Sequence, residues 1–140
     1  SRSGAVSLEA HPLPEPLPDP APCIALPHPT VAHDWRLHHK SSDRSFYEAA
    51  LETARNVGAV EALLVRDDGC VTEGSWTSVF VERDGTLVTP PRAHGLLPGV
   101  FRESLIAEGR AVEGEVILDD LSGGFWIGNA VRGLMRARLI

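Results

Sequence analysis

The sequence predicts an α+β domain in which a sheet or partly closed barrel is flanked by helices. Between residues 42 and 58, Phe46, Ala50, Ala54 and Val57 recur at helical spacing on one face. After this stretch, short apolar runs alternate with turn residues, which is typical of strands and hairpins. The 140 residues suffice for one domain, because a chain of this size buries about two-thirds of its unfolded surface.

The predicted elements follow one another along the chain without an internal repeat. Ser42 or Asp43 is expected to cap the first helix, and Gly58 is expected to end it. Residues 98–99, a Pro-Gly pair, are expected to open a second, short helix that continues to about Glu108. Strands are predicted at residues 62–65, 70–72, 78–82, 86–89, 112–118 and 125–127, and residues 83–85 (Arg-Asp-Gly) are expected to form the turn of a hairpin.

The N-terminal part of the chain has a different composition from the rest. Proline occupies every second position from Pro12 to Pro20, which fixes φ and removes amide donors. Such a stretch favours the polyproline II conformation. We therefore expect residues 1–23 to form a linker or extended arm, residues 24–140 to form the domain, and further chain to precede Ser1.

Composition and charge exclude several classes of function. The net charge of −6 argues against a nucleic-acid-binding protein, which would normally present a basic face. No apolar run approaches the ~20 residues of a membrane span, and no secretory signal is visible. The two cysteines make no disulfide framework, and the six scattered histidines have no metal-ligand spacing. We expect a cytoplasmic protein without a metal site.

Two residues have the chemistry of a catalytic pair. Lys40 follows two histidines and directly precedes the predicted helix, at the edge of a core, where a lysine loses its proton more readily. Glu73 ends an extended segment, where a carboxylate can keep a pyridine nitrogen protonated and so favour electron withdrawal. Lysine and glutamate are more often solvated surface groups, so local sequence alone does not assign these roles.

Two glycine-containing segments have the character of ligand-binding loops. Residues 95–102 lead into the start of the second predicted helix, where free amides and the helix dipole suit a phosphate. Helices that bind nothing also begin in this way. Residues 127–134 combine small residues with an asparagine and an arginine, so that backbone amides can approach a ligand closely.

Taken in order, these segments resemble the C-terminal half of the class IV aminotransferases, the fold-type IV pyridoxal-phosphate enzymes. The resemblance runs from about residue 24 to residue 140. No single motif is specific, but the ordered set is, together with the spacing between Lys40 and Glu73. Within the family the sequence is most similar to aminodeoxychorismate lyases, including the lyase domain fused to aminodeoxychorismate synthase. The matching stretches are residues 39–44, 61–64, 71–75, 84–91, 95–102 and 128–134.

The resemblance implies a fold, a cofactor and a reaction. The fold would be the larger C-terminal domain of the D-amino-acid-aminotransferase type, built around a barrel-like sheet. Lys40 would form a Schiff base with pyridoxal 5′-phosphate and then move protons, while Glu73 would pair with the pyridine nitrogen. The implied reaction releases pyruvate from 4-amino-4-deoxychorismate to give 4-aminobenzoate in the folate pathway. The other implied contacts are to the cofactor from Val100, Phe101, Asn129 and Ala130, and to the substrate from Arg44, Val131 and Arg132.

The sequence departs from the family pattern at three positions near the implied cofactor. Ala130 and Phe101 stand where relatives usually carry hydroxyl residues, and Ser78 stands where they usually carry asparagine. Each lost hydroxyl bond to a charged phosphate would cost ~1.5–3 kcal/mol. We therefore expect the cofactor to bind more weakly than in typical relatives.

Length is the larger departure. Complete relatives have an N-terminal domain that packs on this one, completes the cleft and shares the dimer interface, and it is not recognisable here. The resemblance implies a homodimer and a small amino or carboxylate substrate, with the isolated chain inactive or weak. Two alternatives remain open: a branched-chain or D-amino-acid type aminotransferase on the same scaffold, or a non-catalytic remnant acting in dimerisation or partner binding.

Overall fold

The computed structural model describes residue 4, residues 6–31 and residues 34–140. Within these residues the chain forms eight strands, two α-helices and three short 3-10 turns. The strands are β1 (Ala21–Pro27), β2 (Glu61–Val65), β3 (Val71–Gly74), β4 (Ser78–Arg83), β5 (Thr86–Thr89), β6 (Ala111–Glu113), β7 (Phe125–Asn129) and β8 (Gly133–Leu139). The helices are α1 (Ser45–Asn56) and α2 (Val100–Ala107), and the 3-10 turns are Trp35–Leu37, Arg92–His94 and Leu118–Leu121.

All eight strands belong to one sheet, in the order β3-β2-β1-β8-β7-β4-β5-β6. β1 runs parallel to both of its neighbours and β5 runs parallel to β6, whereas the other pairs are antiparallel. The edge strand β3 approaches the segment that follows β6, where the Val71 amide donates to the Val116 carbonyl at 2.8 Å. The sheet thus curls into a partly closed barrel, which confirms the predicted fold class.

Alternation along the strands builds a core on both faces of the sheet. Leu63 packs within the largest buried cluster, whereas its neighbours Ala62 and Leu64 pack in the cluster that includes α1. On β4, Phe80 packs against Leu105 of α2. Because successive strand residues point to opposite faces, each helix covers one region of the curled sheet.

The sheet begins earlier than the predicted domain boundary. β1 starts at Ala21, so the boundary expected between residues 23 and 24 falls inside this strand. Ala21 and Cys23 are buried and pair with Ala137 and Leu139 of β8. Neither β1 nor β8 was predicted as a strand. The two pair with each other from opposite ends of the sheet-forming chain, and β8 also pairs with its sequence neighbour β7.

The first helix differs from its prediction at the start and agrees at the end. It begins at Ser45, and Arg44 occupies the N-cap position without a side-chain capping bond, so the predicted caps Ser42 and Asp43 are wrong. Asp43 instead accepts a hydrogen bond from the Ser45 hydroxyl at 3.0 Å. Gly58 follows the helix with φ +82°, a left-handed conformation that favours glycine.

Local turn chemistry correctly predicted the hairpin of β4 and β5. Asp84 and Gly85 both have positive φ, at 52° and 77°, as expected for a tight hairpin turn. The strand predicted over residues 112–118 is too long, because β6 ends at Glu113 and Leu118–Leu121 forms a 3-10 turn. The short helix predicted after residues 98–99 is present as α2.

The helices that the structure describes are too short or too polar to cross a membrane. Among the described residues, no group of three or more histidine, cysteine, aspartate or glutamate side chains could hold a metal ion. His33, one of the six histidines considered, lies outside the described residues.

Candidate active site

A cleft with a volume of about 390 Å³ opens where four chain junctions meet. These are the approach to α1, the connection from β3 to β4, the start of α2 and the end of β7. The lining residues are Lys40, Arg44, Tyr47, Glu73, Gly74, Ser75, Trp76, Thr77, Ser78, Leu97, Gly99, Val100, Phe101, Gly128, Asn129 and Ala130.

Lys40 reaches this cleft from the segment that precedes α1, and its side chain is exposed. The segment is anchored at Asp34, whose carboxylate accepts from the Arg36 amide at 2.9 Å and from the Arg36 guanidinium at 2.7 Å. Those hydrogen bonds hold the pKa of Asp34 well below its usual range. Lys40 is also the only lysine in the sequence, a signal that motif reading did not use.

Glu73 is the buried carboxylate of the cleft, with 5% of its surface exposed. Its Oε1 accepts from the Tyr47 hydroxyl at 2.7 Å and its Oε2 accepts from the Leu97 amide at 3.1 Å. Burial, with a smaller contribution from the charge of nearby Glu61, raises the pKa of Glu73 to about 7, although these two bonds act in the opposite direction. The carboxyl group therefore changes charge near neutral pH.

Tyr47 and Arg44 form the wall of the cleft that α1 contributes. The Arg44 guanidinium donates to the Ser75 carbonyl at 3.0 Å and lies 5.1 Å from the centre of the Tyr47 ring. Burial raises the pKa of Tyr47, and the charge of Glu73 raises it further, so its hydroxyl stays protonated and donates. Sequence reasoning missed Tyr47 because helical periodicity assigned the buried face to its neighbour Phe46.

Gly74 follows Glu73 in a space with no room for a side chain. A Cβ atom there would lie 2.5 Å from Glu61 Oε2 and 2.5 Å from Thr77 Oγ1. Gly74→Ala is therefore expected to lower the free energy of unfolding by roughly 1–3 kcal/mol, the usual cost of overpacking. Urea unfolding measures this loss. Gly123→Ala is the matched control, because a Cβ there meets nothing within 4 Å, and equal losses in both variants would contradict the prediction.

The start of α2 lines the cleft with Gly99, Val100 and Phe101. Gly99 occupies the N-cap position and has no side chain to satisfy the first amides of the helix. The side chain of Phe101 turns inward, where its ring packs edge-on against Phe80 with ring centres 6.4 Å apart. A Cβ at Gly128 would lie 2.8 Å from the Phe101 ring, so glycine is required where the end of β7 passes this helix.

The remaining predicted site residues lie at the turn between β7 and β8, and only some of them line the cleft. Asn129 Oδ1 accepts from the amides of Val131 and Arg132, both at 3.0 Å, so this side chain shapes the turn. Ala130 lines the cleft, whereas Val131 and Arg132 line a separate cavity beside the proline-rich arm. The Arg132 guanidinium donates to the Glu15 carbonyl of that arm at 2.9 Å.

The structure thus brings together most of the residues that the resemblance assigned. The seven that line the cleft are Lys40, Arg44, Glu73, Val100, Phe101, Asn129 and Ala130. Val131 and Arg132 are not among the lining residues. A lysine amine, a buried carboxyl group and an uncapped helix start face one space. This set can hold an aldehyde, a protonated ring nitrogen and a phosphate.

The sequence is similar to that of known proteins. The sequence model of the amino-transferase class IV family matches residues 1–140. The chain is 33% identical over 91 residues to a putative aminodeoxychorismate lyase of Schizosaccharomyces pombe, covering 61% of the chain and 39% of that relative. It is 33% identical over 69 residues to a putative branched-chain-amino-acid aminotransferase of Methanocaldococcus jannaschii, covering 49% and 24%. The chain therefore spans less than half the length of these two relatives.

Solved structures show the same fold. A putative amino-acid aminotransferase from Mesorhizobium loti superposes with a TM-score of 0.78 at 35% identity, covering 90% of this chain and 65% of that one. A hypothetical aminotransferase from Mycobacterium tuberculosis, in its PLP-bound form, superposes with a TM-score of 0.75 at 25% identity, covering 86% and 48%.

Proposed function

Because the chain belongs to the class IV aminotransferase family, we propose that the protein carrying it is a cytoplasmic, pyridoxal-phosphate-dependent lyase. In the proposed reaction 4-amino-4-deoxychorismate releases pyruvate and becomes 4-aminobenzoate. The observation that carries the proposal is the single cleft shared by Lys40, Glu73 and the start of α2. The similarity to a putative aminodeoxychorismate lyase, which extends over 91 residues, supports this reaction.

The donor set of the cleft fits the proposed cofactor. Each oxygen of the Glu73 carboxylate accepts one hydrogen bond, and a carboxylate oxygen has room for a second. A pyridine N–H can therefore be received without breaking the bonds from Tyr47 and Leu97. The amides after Gly99 suit a phosphate, because this helix start has no side-chain cap. When bound, the cofactor would supply a ring that withdraws electrons from the substrate.

Glu73 would keep the ring nitrogen of the cofactor protonated, because electron withdrawal by the ring depends on that positive charge. With its pKa raised to about 7 by burial, the free carboxyl group is partly protonated at neutral pH. A cationic ring N–H beside it would favour the ionised carboxylate, since an opposite charge stabilises the charged form. The Tyr47 hydroxyl, which donates to Oε1, keeps the carboxylate oriented.

Lys40 would hold the cofactor and then transfer the proton. Its Nζ would take up the proton lost from the substrate ring as the C–O bond to the enolpyruvyl group breaks and the substrate ring becomes aromatic. The leaving group would take up a proton at its methylene carbon and so become pyruvate. Arg44 would bind a substrate carboxylate at the cleft, because its guanidinium uses one N–H for the Ser75 carbonyl and retains others. The same proposal includes a homodimer, as the family resemblance implies.

An aminotransferase on the same scaffold is the second candidate. It is favoured by the similarity to a putative branched-chain-amino-acid aminotransferase at 33% identity. Both candidates use the same lysine and carboxylate. They differ in whether an amino donor is consumed.

Product analysis separates the two candidates. The purified protein is incubated with pyridoxal phosphate and 4-amino-4-deoxychorismate, and pyruvate and 4-aminobenzoate are measured. We expect the two products in equal amounts without an amino donor. Formation of a keto acid from added branched-chain or D-amino acids, with no 4-aminobenzoate, would replace the lyase by the transferase. Neither product would favour a non-catalytic role in dimerisation or partner binding.

A further inference from the structure

Glu61 is a buried carboxylate that does not line the cleft. It opens β2, its side chain is fully buried, and five donor groups converge on it. Oε1 accepts from the Ala62 amide at 2.8 Å, the Ser75 amide at 2.8 Å and the Ser75 hydroxyl at 2.5 Å. Oε2 accepts from the Thr77 hydroxyl at 2.6 Å and the Trp76 amide at 3.3 Å. Four of the five donors therefore belong to residues 75–77.

Residues 75–77 in turn hold two residues of the cleft. The Ser75 carbonyl accepts from the Arg44 guanidinium at 3.0 Å, and the Trp76 carbonyl accepts from Asn129 Nδ2 at 3.4 Å. The same segment continues directly from Glu73 at the end of β3. One carboxylate outside the cleft is thus connected to three side chains that line it.

The position of Glu61 is costly for the fold, which argues that the bonds it makes are needed. Burial raises the pKa of Glu61, while the bonds from Ser75 and Thr77 act in the opposite direction. An apolar side chain at this strand position would avoid that cost but would leave the donors of residues 75–77 unpaired. The carboxylate therefore pairs the donors of residues 75–77, which an apolar side chain could not do.

We infer that Glu61 is a positioning residue of the candidate active site, which holds residues 75–77 so that Arg44, Asn129 and Glu73 keep their places at the cleft. The inference rests on the proposed function for its catalytic meaning. Side chains outside a binding site that fix the conformation of its contact residues determine how well the site is preorganised.

Glu61→Gln tests the inference with a side chain of the same size. Whichever way the new amide is turned, its NH₂ group faces at least one backbone N–H, either of Trp76 or of Ser75 and Ala62. Two donors cannot pair, so residues 75–77 must shift. Leu121→Ala is the control, because Leu121 is equally buried in the core and is not among the residues that line the cleft. If Glu61→Gln does not fold, Glu61→Asp, which retracts the carboxylate, replaces it.

Two measurements read out the positioning role. In the protein without cofactor, nitrogen-15 NMR follows the side-chain N–H signals of Arg44 and Asn129. Titration with pyridoxal phosphate alone gives the dissociation constant. We expect Glu61→Gln to shift both side-chain signals and to weaken cofactor binding about 10-fold, by analogy with other supporting residues behind a bound group. Leu121→Ala should be less stable to urea but leave both measurements near wild type.

Two outcomes would overturn the inference: unchanged Arg44 and Asn129 signals in Glu61→Gln, or an equal loss of cofactor affinity in Leu121→Ala. If wild-type protein does not bind pyridoxal phosphate, the proposed function fails. The NMR comparison then decides the positioning role of Glu61 by itself.

Discussion

Replacing Lys40 with alanine is expected to abolish covalent attachment of pyridoxal phosphate and to reduce turnover about 10³-fold or more, because one amine both holds the cofactor and transfers the proton. Borohydride reduction followed by mass spectrometry measures the attachment. The result is unusually clear in this chain, since Lys40 is its only lysine and the other twelve of its thirteen basic Lys and Arg residues are arginines. In Lys40→Ala no lysine of this sequence remains to carry an adduct.

The Lys40 variant should keep its fold. The side chain is exposed, and substitutions of exposed residues usually change stability by less than about 0.5 kcal/mol. Lys40→Arg is the matched control, because it preserves the positive charge but cannot form the attachment. Trapping of the cofactor at wild-type levels in Lys40→Ala would remove this residue from the proposed role.

Glu73→Gln is expected to change how stability depends on pH in the protein without cofactor. The folded-state pKa of Glu73 is about 7, raised from an ordinary value of 4.5. The stability contributed by a raised carboxyl pKa is fully present below the unfolded value and is lost as pH rises through the folded value. Relative to Glu73→Gln, the wild-type protein should lose roughly 3 kcal/mol between pH 4.5 and pH 7.

Urea unfolding of both proteins across that pH window checks the prediction. Glutamine suits the site, because its oxygen can accept from the Leu97 amide while its NH₂ donates to the Tyr47 hydroxyl oxygen. The raised pKa of Glu61 is common to both proteins, so its own contribution largely cancels in the comparison. Parallel stability curves for the two proteins would show that Glu73 does not titrate in this range.

Local sequence was sufficient to predict the turns and helix boundaries whose conformation depends on residues close together in the chain. The turn at Asp84 and Gly85, the helix end at Gly58 and the helix after residues 98–99 were all predicted from residue type and short-range spacing. Local sequence failed for β1 and β8. These strands pair in parallel at the centre of the sheet, from opposite ends of the chain, and no short-range pattern encodes that pairing.

The sequence by itself determined the α+β class, the family resemblance and the identity of the lysine and the carboxylate. Only the tertiary structure decided the pKa of the carboxyl group and the partners of the side chains around it. Glu73 has a pKa near 7 because the folded sheet buries it, although the same fold brings Tyr47, 26 residues away, to donate to its Oε1 and lower that pKa. Likewise, the turn between β7 and β8 places the Arg132 guanidinium at the Glu15 carbonyl of the proline-rich arm, and Arg132 does not line the cleft. Burial and partnering arise from contacts between distant segments, and those contacts exist only when the chain is folded.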